Sequence, residues 1–329
     1  MTGSAPTTAP PRRRILRAAA ILAAGAALLA SSSVAFVPEA SAYTFALQGW
    51  ATQGGGTTGG GSASPVTVTT QSALISNIQA NGARVIKVSG TIALPSGMTK
   101  VAANKTIIGV GSGATITTGG FNIASVSNVI IRNINFKNWT DDAINVQYST
   151  HVWIDHNNFS NGYDGAVDIK RASDYVTVSW NRVFNHDKSF LLGHSDDNGA
   201  EDIGKLRVTY HHNFFDGSTQ RHPRVRFANP VHVYNNYYRG NSGYGVASTV
   251  NAGVFVQRNY FENVSKPTVA QTGDSPAGNL KLDGNYLTGS GTPVSRNPGS
   301  VAAIPYSYTL DAAADIKSIV TAYAGTGKI

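Results

Sequence analysis

Between Val85 and Leu280 the chain keeps returning to one short pattern: two or three alternating apolar residues, then Asn, then an aromatic. Its clearest copies run from Val129 to Phe136, Val152 to Phe159, Val231 to Tyr238 and Val254 to Phe261. The first apolar residue of each copy falls at Val85, Ile107, Val129, Val152, Val176, Leu206, Val231, Val254 and Leu280, so the spacing runs from 22 to 30 residues. Such a period means a stack of similar coils, each burying its apolar face against its neighbours. The units hold short strands separated by Gly, Asn and Asp turns and no helix, which excludes helical arrays and leucine-rich horseshoes. The prediction is an all-β, single-domain right-handed parallel β-helix over residues 43–329. Equivalent side chains then lie over one another, so the repeated Asn residues form an internal hydrogen-bonded ladder and the aromatics a buried stack. A short helix is expected over residues 71–80, with Leu74, Ile75 and Ile78 at helical spacing, to cap one end of the stack. The array ends after Leu287, and a terminal helix is expected over residues 312–323. The glycine run from Gly54 to Gly61 lacks the Gly-Lys-Ser/Thr ending of a phosphate loop and reads as a flexible surface turn.

Residues 1–42 are set apart. Arg12-Arg13-Arg14-Ile15-Leu16-Arg17 is followed by an apolar run over residues 18–29 and by Ala40-Ser41-Ala42, the form of an export signal with its cleavage site. Its arginine pair has the twin-arginine pattern. The apolar run is too short to span a membrane, and no later segment approaches about 18 apolar residues. The mature chain is therefore expected to be soluble and secreted. Removing four arginines and Glu39 leaves 22 basic and 17 acidic residues, a net charge of +5. That charge favours an anionic partner: nucleic acid, an acidic surface or an acidic polysaccharide. The absence of cysteine excludes disulfides and thiolate chemistry, and 41% hydrophobic against 13% charged residues argues for a sizeable core.

Within the array, Asp164-Gly165-Ala166-Val167-Asp168-Ile169-Lys170 sets two carboxylates four residues apart beside a lysine, in a stretch that otherwise reads as strand. Alternation places Asp164, Ala166, Asp168 and Lys170 on one face and Val167 and Ile169 on the other. Asp141-Asp142 lies one repeat earlier, and carboxylate oxygens converging from both would suit a hard cation such as Ca2+. His186-Asp187-Lys188 and Arg221-His222-Pro223-Arg224-Val225-Arg226 follow in the next coils. Each cluster alone has a bland reading as solvated turn or surface charge; their placement in consecutive coils raises them. The widest spacing contains Gly193-His194-Ser195-Asp196-Asp197-Asn198-Gly199, an inserted loop expected to overhang the face that carries the site. Asp155-His156 falls inside a repeated strand and reads as structural. His194-Ser195-Asp196 is adjacent in sequence, unlike a hydrolase triad, and His211-His212 lacks a third zinc ligand.

Taken together, Val152-Trp153-Ile154-Asp155-His156, residues 164–170, Val176-Thr177-Val178-Ser179, His186-Asp187-Lys188 with Leu192-Gly193, Tyr210-His211-His212-Asn213, Arg221 to Arg226 and Val231 to Asn236 resemble the family-1 polysaccharide lyases, the pectate lyases. The resemblance covers almost the whole mature chain. It implies a parallel β-helix, Ca2+ and β-elimination on polygalacturonate, with Asp142, Asp164 and Asp168 as Ca2+ ligands and Arg221 as the catalytic base. A guanidinium is an awkward base because it is protonated in water; the residues alone suggest electrostatic clamping, and the role of base comes from the resemblance. Lys188 adds a positive contact to the substrate, Arg226 binds a substrate carboxylate or orders the site, and Lys170 is a further candidate for the same. Asp141 either assists Asp142 or is a turn residue. Calcium-independent pectin lyase is disfavoured by the presence of all three aspartates. A β-helix glycoside hydrolase working through paired carboxylates and a non-catalytic solenoid that binds acidic polysaccharide remain the other readings. Nucleic acid is disfavoured because the basic residues are interspersed with acidic ones. No oligomer is implied, and a monomer is expected.

Overall fold

The computed structural model describes Tyr43 and residues 45–329, and Phe45–Ile329 forms one compact unit. The export segment expected over residues 1–42 lies outside the described residues. The chain winds as a parallel β-helix with three strand-bearing faces. The first holds ten parallel strands in chain order, from Pro65–Val68 to Asn279–Asp283. The second runs from Thr268–Val269 back through Val246–Thr249, Arg224–Arg226, Phe190–Leu192, Val167–Lys170 and Ile144–Gln147 to the long strand Thr115–Ala124. The third starts on the other half of that long strand with Asn135–Lys137 and ends at Tyr286–Thr288. Among the described residues no helix is long and apolar enough to cross a membrane.

Register follows the repeat over most of its length. Val129 pairs with Val152 and Val152 with Val176; Val231 pairs with Val254 and Val254 with Leu280. Three positions are offset. Ile86, not Val85, lies beside Ile107; Lys105, not Ile107, pairs with Val129; and Val208, not Leu206, pairs with Val176. Leu206 is fully buried all the same, in a left-handed backbone conformation before the strand begins, which is why apolarity alone misplaces it. Thr177 pairs with Thr209, so the widest coil is 32 residues rather than 30.

The corner between the first and third faces is built by a pair of residues. His156, Trp180, His212, Asn235 and Arg258 all have φ between 48° and 54°, a conformation costing a non-glycine residue roughly 1–2 kcal/mol. Each is followed by a buried Asn whose amide takes up the polar groups that the bend exposes. Nδ2 of Asn157, Asn181, Asn213, Asn236 and Asn259 donates at 3.0 Å to Oδ1 of the Asn one coil on, ending at Asn285. The aromatics stack beside this ladder: Phe136 on Phe159 at 5.2 Å, Phe215 on Tyr238 at 5.0 Å and Tyr238 on Phe261 at 4.3 Å. Val183 interrupts the row between Phe159 and Phe215.

Helix Gln71–Gln79 starts where the Thr70 side chain accepts the Ala73 N–H, and it buries Leu74 and Ile78 against the first coils. The terminal helix spans Ile316–Tyr323, later than expected, because a 3-10 turn at Ala313–Asp315 precedes it. It packs Ile316 and Val320 on Phe214, Tyr237 and Tyr260 of the third face. The glycine run is a surface turn whose stretch from Thr58 to Gly60 is anchored to the solenoid. Thr58 and Gly59 donate backbone N–H groups to Asn128 Oδ1 at 2.7 Å, and a Cβ on Gly60 would lie 2.1 Å from the Arg84 carbonyl. Glycine is there so that the backbone can lie against the solenoid.

Candidate functional site

The charged clusters gather where the turns feed the second face. Asp142 precedes Ile144–Gln147, Asp164 precedes Val167–Lys170, Lys188 precedes Phe190–Leu192, and Arg221 precedes Arg224–Arg226. Backbone bonds stack these turns directly: Asp164 N–H donates to Asp141 O at 3.0 Å, Ala166 N–H to Lys188 O at 3.1 Å, and Phe190 N–H to Arg221 O at 2.6 Å. Asp142, Asp164 with Asp168, Lys188 and Arg221 therefore occupy four consecutive coils. On the strands themselves, Asn145, Asp168, Leu191 and Arg224 lie in one register row.

Asp142 and Asp168 form a pair around Gly165. The Gly165 N–H donates to Asp142 Oδ1 at 3.0 Å. A Cβ at Gly165 would fall 2.0 Å from Asp168 Oδ1 and 3.1 Å from Asp142 Oδ1, so both oxygens crowd a position that only glycine leaves clear. Lys170 Nζ lies 3.3 Å from Asp142 Oδ2 and 3.8 Å from Asp168 Oδ2. Burial pushes both carboxyls above the usual carboxylate range. Asp168 is raised to about 7, with the Asp142 charge adding to the burial and Lys170 and Arg221 opposing it. Asp168 Oδ1 is buried with no hydrogen-bond partner.

Asp164 stands apart from that pair. Its Oδ1 lies 3.1 Å from Lys188 Nζ and 3.6 Å from Arg221 Nη1, charge contacts rather than an aligned hydrogen bond. The alternation expected from the sequence fails here because the strand starts only at Val167: Ala166 is fully buried in the core with Val167 and Ile169, and Asp164 belongs to the turn. Among the described residues no three His, Cys, Asp or Glu side chains converge as a metal centre. The donor set nevertheless fits calcium. Asp142 and Asp168 offer hard oxygens, one of them buried without a partner, and two carboxylates face a single ammonium. Asp164 joins such a set only by leaving Lys188 and Arg221.

The cations are held in place by their neighbours. The Lys188 carbonyl bonds His186 Nε2 at 2.8 Å, and the His186 ring lies against Trp139 at 4.8 Å. Arg221 has φ 65°, and its Nε is buried without a partner. Arg226 donates from Nε to Asp196 Oδ1 at 2.6 Å and from Nη1 to the Gly193 carbonyl at 3.1 Å. Ser275 Oγ donates to the same Asp196 oxygen at 2.9 Å and accepts from Arg224 Nη2 at 2.7 Å. The inserted loop is thus tied to the site by Asp196. Sequence reasoning set Asp196 aside with a discarded triad and missed this role, as it missed Ser275 and Gly165. The only signal was that the loop sits in the widest coil.

The motifs Asp155-His156 and His211-His212 are structural. Asp155 bonds Arg132, His156 and Ser179 at 2.8, 2.6 and 2.6 Å. His211 and His212 contact each other through Nδ1 at 2.9 Å, and His212 Nε2 reaches Asp311 at 2.8 Å, away from the second face.

Fold and site together define a parallel β-helix with a cluster of paired acidic and basic side chains spread across four consecutive coils. A family model for pectate lyase matches residues 18–329 of the chain. The chain is 34% identical over 304 residues to a pectate trisaccharide-lyase of Bacillus licheniformis, an alignment covering 87% of each protein. It is 39% identical over 249 residues to pectate lyase E of Dickeya chrysanthemi, covering 61% of this chain. The match spans 64% of that protein's length, and 62% for pectate lyase D of the same organism. Among solved structures, a pectate lyase of Bacillus sp. N165 in complex with trigalacturonate superposes with a TM-score of 0.77 at 31% identity, covering 86% of this chain and 99% of that one. The chain belongs to the pectate lyase family.

Proposed function

We propose that the protein is an exported, Ca2+-dependent pectate lyase that cleaves polygalacturonate by β-elimination. The observation that carries this reading is the juxtaposition, at one edge of the second face, of the Asp142–Asp168 pair with Lys188 and Arg221 on the coils that follow. The trigalacturonate in the Bacillus sp. N165 complex and the trisaccharide-lyase name of the B. licheniformis relative support a galacturonate substrate. Export rests on residues 1–42, and the protein acts as a monomer.

Elimination removes the C5 proton beside a uronate carboxylate and expels the oxygen on C4. The negative carboxylate resists the charge that builds at C5. Asp142 and Asp168 would hold the cation, and Asp164 would join them on turning from Lys188. Bound calcium would neutralise the uronate carboxylate as a Lewis acid. Lys188, released from Asp164, contacts the same carboxylate and stabilises the enolate-like charge, with Lys170 close by. Arg221 takes the C5 proton on its guanidine. The C5–H electron pair becomes the C4–C5 double bond as the C4–O bond breaks, and the leaving oxygen is protonated by solvent. Arg226, fixed by Asp196 and Gly193, binds a neighbouring carboxylate.

The test is ultraviolet absorbance of the unsaturated product from polygalacturonate at mildly alkaline pH, with Ca2+ and then with excess chelator. A calcium-dependent rise is expected, and Arg221→Lys should nearly abolish it while leaving Ca2+ affinity unchanged. Reducing ends without absorbance would mean hydrolysis; polymer binding without either would mean a binding solenoid. Retained turnover in Arg221→Lys would remove Arg221 as base.

A further inference from the structure

The register row through Asp168 continues away from Arg221, toward the N-terminal coils. Asp168 pairs with Asn145, Asn145 with Asn122, and Asn122 with Lys100. Residues paired in parallel register point to the same side of a sheet, so these four side chains share the outer surface of the second face. Asn145 Nδ2 donates to Asn122 Oδ1 at 2.8 Å, and Asn145 Oδ1 is left buried without a partner. Lys100, at the end of the row, is exposed and makes no ion pair among the described residues. It borders a surface cavity of about 320 Å3 that is otherwise lined by Gln79, Val101, Ala102, Ala124 and Val126. One free cation, one amide and apolar walls suit the C–H face and the carboxylate of a uronate sugar.

The direction of a bound chain follows from the site itself, whose charged residues are spread across four consecutive coils and so run across the strands. Strands lie about 4.8 Å apart, which puts Lys100 about 14 Å from the Asp168 strand. A pyranose linked through C1 and C4 is close in length to one strand spacing. We propose that Lys100, with the Asn122–Asn145 amides leading to it, forms a distal subsite that takes the carboxylate of a galacturonate several sugars from the scissile bond, so that the enzyme favours longer chains. This inference rests on the polygalacturonate reading above.

The experiment compares wild type, Lys100→Ala and Lys100→Arg on trigalacturonate, hexagalacturonate and polygalacturonate by unsaturated-product absorbance. Calorimetric titration of hexagalacturonate runs alongside. Lys100→Ala should lose about tenfold in kcat/KM on the hexamer and polymer, mainly through KM, and keep wild-type rates on the trimer. Lys100→Arg should restore the long-chain rate. Equal kinetics of wild type and Lys100→Ala at all lengths would overturn the subsite while leaving the lyase reading intact. If wild type yields no unsaturated product, the lyase reading fails and calorimetry decides the subsite: weaker hexamer binding in Lys100→Ala supports it, equal binding overturns it.

Discussion

At Gly165 the missing side chain is what lets two carboxylates approach each other. Any Cβ there would overlap Asp168 Oδ1 at 2.0 Å and press on Asp142 Oδ1 at 3.1 Å, so Gly165→Ala must swing Asp168 out of the pair. We expect this variant to lose at least tenfold in Ca2+ affinity by calorimetry, about 1.4 kcal/mol, with a melting temperature close to wild type because the residue sits in a turn. Unchanged affinity would mean that the ion does not sit between Asp142 and Asp168. Much of this locality is readable from the chain. Strand alternation correctly puts Asp168 and Lys170 on the outer side, and the repeat correctly places Asp142 beside them. The orientation of Asp164 is not readable, because it depends on where the strand begins and on which cations sit one and two coils further on. Nor is the partnership of Arg226 with Asp196, thirty positions apart, which exists only because the inserted loop folds back over the face.

The Asn ladder is an element built by repetition, and its interior members serve more partners than its last one. Asn213 Oδ1 accepts from both the backbone and the side chain of Asn181, while its Nδ2 donates to Val178 O and Asn236 Oδ1. Removing that amide strands several buried polar groups, each costing about 1–3 kcal/mol when left unsatisfied. Asn213→Ala is therefore expected to lower unfolding stability by about 3 kcal/mol or more in denaturant titration. Asn285→Ala, at the partly exposed end, should cost about 1 kcal/mol. Equal losses at both positions would show that the corner does not depend on the ladder. The ladder is the part of the fold the sequence announces most openly, since one Asn per coil before an aromatic has no other simple explanation. Register is announced less well: the row of Val129 continues through Lys105 and Arg84 rather than Ile107 and Val85, and that of Val176 through Val208 rather than Leu206, so apolarity alone does not pick the residue that the bonding of adjacent coils selects.

A solenoid places much of its chain inside, and it draws in histidines that a smaller core would leave in water. His232 sits between the Tyr306 hydroxyl at 3.1 Å and Gln257 Oε1 at 3.2 Å and stacks on Phe255; burial lowers its pKa to about 3. His222 is likewise lowered to about 4 by burial, between Ser218 Oγ and the Tyr244 carbonyl. In the unfolded chain both titrate near 6.5. Below that value the unfolded state binds more protons than the folded one, so their contribution is complete above pH 6.5 and is lost as pH falls toward 4 and 3. Asp168 works in the opposite direction: its raised pKa lets the folded state hold a proton that the unfolded state releases between about pH 7 and 4. The net acid profile mixes the two, so a difference between variants is needed to isolate either. Between pH 6 and 4, urea unfolding of wild type should lose stability faster than His232→Gln by about 1.4 kcal/mol per pH unit, one proton's worth. Parallel slopes would mean that His232 accepts a proton inside the folded stack, and that the two bonds holding its ring tolerate the charge.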